Sequence, residues 1–89
     1  MTPRQQAKLA TFRALLDSTD DALIQLLSDR AKLVDDVWAW KKAEGLALTD
    51  PTRELELKRR LVTRAGSLGL DEAAVSAVLD LVVGKKLSR

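Results

Sequence analysis

From Gln5 to Glu44 the chain contains no proline and no glycine, and Gly45 closes the run. A single helix over this stretch would be roughly 60 Å long at the usual rise per residue. Such a helix cannot fold back on itself, and a chain of 89 residues cannot cover it. Its apolar stripe must be buried against the shorter second half, against another copy of the chain, or against both.

The stripe has a seven-residue rhythm. One seam holds Leu9, Leu16, Leu23, Arg30 and Val37, and its companion holds Phe12, Thr19, Leu26, Leu33 and Trp40. Leu27 and Val34 widen it. Apolar spacing sustained over more than four heptads is the pattern of helices that pair side by side. Asp17, Asp21, Asp29, Lys32, Asp35 and Asp36 form the outer face, which reads as solvated. Met1 to Arg4 reads as a frayed start with Thr2-Pro3 as a cap and first turn, so the first helix is expected over about residues 5–44.

The second half reads as two shorter helices. Asp50 is a good N-cap and Pro51 suits a first helical position, which predicts a helix over 51–66. Its apolar face is Leu57, Leu61 and Ala65, with Val62 beside them, and Glu54–Lys58 and Glu56–Arg60 are spaced for i,i+4 ion pairs. Gly66 and Gly69 end it; Asp71 caps a third helix expected over 72–87, with Val75, Val78, Leu79, Val82 and Val83 inward. The fold class is therefore all-α, as one domain of one long, one medium and one short helix.

Composition removes several function classes. There is no cysteine and no histidine, so a Cys/His zinc site and a Ser-His-Asp triad are absent by inventory. Fifteen basic and 13 acidic residues leave a net charge of +2, too even to imply nucleic acid. Lys58, Arg59, Arg60 and Arg64 share a helix with Glu54 and Glu56 and read as a solvated face rather than a nucleic-acid surface. No apolar run approaches a membrane span and the first ten residues lack a signal-peptide core, so a cytoplasmic protein without membrane partners is expected.

Three cations disturb the stripe of the first helix: Arg13, Arg30 and Lys41. A seam guanidinium is costly unless paired, and Arg30 could pair with Asp20 or Glu54, or set the register of a coiled coil. Lys41 lies 11 residues beyond it, nearly on the same face and roughly 16 Å along the axis, so both side chains can lean onto one small anion. Arg13 lies 17 residues before Arg30, roughly 25 Å away, too far for the same small ligand unless it comes from an antiparallel second chain. A second cluster, Asp50-Pro51-Thr52-Arg53-Glu54, sets a helix N-terminus beside a cation and a carboxylate. Taken alone it reads as a capping motif with surface charges.

Taken together, these residues resemble the small all-helical chorismate mutases. The resemblance runs from about Leu9 to Leu87 and rests on Phe12-Arg13, on Leu23 through Arg30, on Val37 through Lys41 and on Asp50-Pro51-Thr52-Arg53-Glu54. It implies an intertwined homodimer with sites shared between chains and chorismate as the small-molecule substrate, converted to prephenate without a cofactor or a metal. By motif position, Arg30 and the partner chain's Arg13 resemble the residues that bind the two carboxylates. Lys41 resembles the donor to the ether oxygen of the breaking C–O bond. Glu54 resembles the acceptor for the ring hydroxyl, with Asp50 and the Arg53 backbone at the same end. Val37, Leu57, Val83 and Leu87 match apolar positions that line the pocket.

The chain departs from that family at two points. Trp38 stands where a small residue, often glycine, is common. A glutamine near the end of the third helix would fall just past Arg89, leaving Lys86, Ser88 or Arg89 to take its place. The run Gly84-Lys85-Lys86-Leu87-Ser88-Arg89 resembles the ending of a short-tailed subgroup activated by a partner enzyme of the shikimate pathway. The same scaffold also serves isochorismate pyruvate lyases and mutases of 4-amino-4-deoxychorismate. A non-catalytic helical dimerisation module would explain the heptads but not Arg30 and Lys41 on one face.

Overall fold

The structure, a computed structural model, describes residues 1–89 and contains three helices: α1 (Pro3–Ala43), α2 (Pro51–Ser67) and α3 (Glu72–Asp80). Each begins at a side-chain cap that satisfies backbone N–H groups left free by the first turn. At α1 the Thr2 hydroxyl accepts from the Gln5 N–H at 3.1 Å while the Gln5 side chain accepts from the Thr2 N–H at 2.9 Å. This reciprocal box makes the start of α1 ordered where a frayed segment was expected. Asp50 and Asp71 cap α2 and α3 through the N–H groups of Arg53 and Ala74. Gly45, at φ +68°, turns the chain out of α1 in the left-handed region that other residues resist.

The third helix is shorter than its sequence suggests. It stops at Asp80, seven residues before the expected Leu87, and Leu81 to Gly84 continue as tight turns. The Val82 N–H bonds back only three residues, to Leu79, and Gly84 then takes φ +73°. Adjacent β-branched valines lower the helical preference, and the left-handed glycine ends the run. Val75 and Leu79 face inward as expected, whereas Val78 is exposed.

Helices α2 and α3 pack closely, and Ala65, the one buried side chain, lies near their junction at the end of α2. The ion pair that forms is Lys58 with Asp80, which ties α2 to the end of α3; the Glu54–Lys58 and Glu56–Arg60 pairs do not form. No α-carbon of α1 comes within 8 Å of one in α2 or α3. The long helix is instead reached by side chains and by the segment after α3. Leu27, Ala31, Val34, Trp38 and Lys41, at alternating spacings of four and three, are half-buried on that side.

Apart from Leu9 and Arg30, which are half-buried, the heptad seam is uncovered. Phe12, Leu16, Leu23, Leu26, Leu33, Val37 and Trp40 are all exposed, from 47% at Val37 to 65% at Leu26 and Leu33. The molecule measures 63 × 27 × 15 Å with a radius of gyration of 18.0 Å. A compact chain of this length would have a radius of about 12 Å. Its accessible surface is 7330 Å², against roughly 5,200 Å² for a folded monomer of this mass. No helix is long and apolar enough to cross a membrane.

Candidate active site

The only place where all three parts of the chain meet is a cleft of about 150 Å³ between the second half of α1, the start of α2 and the turn after α3. Helix α1 supplies Arg30, Val34, Trp38 and Lys41. The capped start of α2 supplies Asp50, Arg53, Glu54 and Leu57, and the connecting loop adds Leu48. Val83, Gly84 and Lys85 close the third side.

Seven of the ten residues singled out in the sequence therefore line one cleft: Arg30, Lys41, Asp50, Arg53, Glu54, Leu57 and Val83. Val37 lies on an adjoining hollow of about 310 Å³ that shares Arg30, Val34, Trp38 and Arg53 with the first. Leu87 is outside both and is 44% exposed, because α3 ends before it. Arg13 stands on the uncovered half of α1, exposed and away from the cleft of its own chain. Trp38 is half-buried and forms part of the wall between the two hollows.

The charges in the cleft are not neutralised by one another. Arg30 has no carboxylate within 4.0 Å, so neither Asp20 nor Glu54 pairs with it. Its Nη1 donates to the Val82 carbonyl at 3.3 Å, which uses one of the five N–H groups of the guanidinium. Lys41 Nζ donates to the Leu48 carbonyl at 3.4 Å and has no carboxylate partner either. Both bonds are long for N–H···O contacts and leave donors available to a ligand. Four cations (Arg30, Lys41, Arg53, Lys85) line the cleft with two carboxylates (Asp50, Glu54), a formal excess of +2. Asp50 already caps α2. Glu54 forms no ion pair and lies over Gly84, where a Cβ would meet its carboxylate carbon at 2.6 Å.

Sequence reasoning missed Val34, Leu48, Gly84 and Lys85 as wall residues; Gly84 and Lys85 entered it only as part of the basic ending. Val34 was readable as stripe, and its place in the cleft follows from facing the same side as Arg30. Lys85 carried no signal, since its position depends on where α3 stops. Of the residues considered in place of the family's glutamine, Lys86 and Arg89 do not line the cleft, and the Ser88 hydroxyl is committed to Asp35.

The profile of the family Chorismate mutase type II matches residues 12–85, and the chain belongs to that family. It is 34% identical over 77 residues to a T-protein of Enterobacter agglomerans, an alignment that covers 86% of this chain and 21% of the relative. The chain thus spans about a fifth of that protein's length. No solved structure matches it significantly.

Proposed function

We propose that the protein is a chorismate mutase, catalysing the pericyclic rearrangement of chorismate to prephenate in the aromatic amino acid branch. The observation that carries this reading is the pair Arg30 and Lys41, free of carboxylate partners and facing the same cleft as Glu54. The excess of two positive charges suits a dicarboxylate. The rearrangement requires no nucleophile, metal or proton transfer, so a chain without histidine or cysteine is adequate to it. The protein has to hold a flexible substrate in a folded near-attack shape and to stabilise charge developing on the ether oxygen. Arg30 binds one carboxylate, Lys41 donates to the ether oxygen, and Glu54 accepts from the ring hydroxyl beside Asp50 and Arg53. Leu57 and Val83 supply apolar wall, with Val37 at the adjoining hollow.

The active unit is a homodimer in which the exposed seams of two α1 helices pair. A side chain such as Leu26 or Phe12 contributes about 1.5–3 kcal/mol when fully buried. The accessible surface of 7330 Å² exceeds that of a folded monomer by roughly 2,100 Å² by the size relation, which leaves ample area for a second copy. An antiparallel partner brings its Arg13 to the cleft, where it supplies the second carboxylate contact beside Arg30.

The test is turnover of chorismate, isochorismate and 4-amino-4-deoxychorismate, measured side by side by ultraviolet absorbance, with prephenate identified as product. Chorismate is expected to be the preferred substrate. Arg30→Ala and Lys41→Ala are expected to lower kcat/KM by about 10²–10³-fold, as loss of a donor to developing charge does, with helical content unchanged. No turnover above the spontaneous rate, with or without a shikimate-pathway partner enzyme, overturns the reading.

A further inference from the structure

The segment after α3 touches the cleft at successive points. The Val82 carbonyl accepts from Arg30, Gly84 makes room for the Glu54 carboxylate, and Lys85 forms part of the wall. Beyond the cleft, the Ser88 hydroxyl donates to Asp35 Oδ1 at 2.7 Å, a half-buried bond between residues 53 apart in sequence. Asp35 reads from the sequence as part of a solvated acidic face. In the fold it is half-buried and has no cation within 4.0 Å. Of the side-chain to side-chain bonds in the chain, this one alone joins the segment after α3 to α1.

We infer that the Ser88–Asp35 hydrogen bond is a latch that holds the segment after α3 against α1, making Asp35 and Ser88 positioning residues for Arg30 and Glu54. The inference rests on the reading of the cleft as a chorismate site. Lys85 to Arg89 form no helix; the Lys85 N–H bonds back to the Val82 carbonyl, and Lys86 to Arg89 have no backbone–backbone hydrogen bond to hold them in place. With the latch made, the Val82 carbonyl stays on the Arg30 guanidinium and orients it, leaving its remaining N–H groups for a ligand carboxylate. The same placement keeps Gly84, at φ +73°, beneath Glu54. When the latch is lost, the segment opens, Arg30 regains its rotamer freedom, and the ligand must order it again on binding.

Two measurements test the latch, one of them independent of activity. The first is cleavage by trypsin after Lys85 and Lys86. Both are exposed in irregular backbone, but a protease must draw several residues on either side into its cleft, so the rate of loss of the residues beyond them rises with the open population of the segment. Ser88→Ala and Asp35→Ala are expected to lose those residues about tenfold faster than wild type, the scale set by a hydrogen bond to a charged group. Ser88→Thr and Asp35→Asn, which keep a donor and an acceptor, are expected to stay near the wild-type rate. In turnover, Ser88→Ala is expected to raise KM for chorismate about three- to tenfold with kcat little changed, the signature of lost ground-state binding. Cleavage of Ser88→Ala at the wild-type rate overturns the latch, and faster cleavage with an unchanged KM overturns its positioning role. A wild-type protein without turnover sinks the chorismate reading instead, and the latch then stands or falls on the proteolysis.

Discussion

Between Leu27 and Lys41, α1 half-buries a side chain every third or fourth residue against the rest of its own chain; between Thr11 and Leu26 it half-buries none. Both halves carry the same heptad rhythm and the same mixture of leucine and charge. They differ in what the remaining residues can reach. Helices α2 and α3 together have 26 residues, 17 and nine, and lie beside one half of a 41-residue helix. The covered half owns the cleft. The uncovered half owns Arg13 and most of the exposed seam. A helix of this length is therefore two functional units in series, one completed within the chain and one that calls for a second copy.

The largest effect should come from charging the uncovered half. Leu23→Asp places a carboxylate in the seam of both chains of a pair, and is expected to weaken dimerisation by at least about 3 kcal/mol. Sedimentation should then show monomer at micromolar concentration, and activity should disappear with the dimer. If Leu23→Asp still sediments as a dimer, the outer half does not pair along this seam.

A smaller, more diagnostic effect separates the two halves by complementation. Arg13→Ala and Lys41→Ala are each expected to be nearly inactive alone. Once their subunits exchange, half of the dimers are mixed, and each mixed dimer has one site with both Arg13 and Lys41 intact. The mixture should regain about a quarter of wild-type activity, by the counting of a two-fold symmetric pair. No recovery after exchange would mean that Arg13 and Lys41 do not serve the same site from different chains.

The smallest expected effect lies in the covered region. Lys58→Ala removes the ion pair that links α2 to the end of α3, with Lys58 29% and Asp80 60% exposed. Pairs open to solvent contribute about 0.2–1 kcal/mol, so urea denaturation should show a loss in that range. A larger loss would mean that the α2–α3 pair, rather than the seam of α1, is what holds the protomer together.

The long helix, its heptads and the cap of each helix were legible in the residues. Caps, proline and the absence of glycine act over a few positions, and Thr2, Asp50 and Asp71 each bond where local chemistry directs them. Arg30 and Lys41 were legible as misfits because a charge in an apolar rhythm needs only the rhythm to be noticed. The end of α3 was not. Val82 and Val83 keep the helical period, and nothing short of the fold shows that the chain leaves the helix at Asp80 and takes Leu87 away from the cleft. Asp35 was misplaced for a related reason, since a carboxylate beside Asp36 looks solvated until Ser88 arrives from 53 residues away.

The division follows from the range of the forces. Helix type, caps and the direction of the apolar stripe depend on neighbours within about one turn, and the order of residues alone sets them. The carbonyl that receives Arg30, the glycine under Glu54, the lysine that joins the cleft and the serine that finds Asp35 all lie in the segment after α3. That segment has no periodic structure to announce its path, and its position is set by contacts across the whole chain.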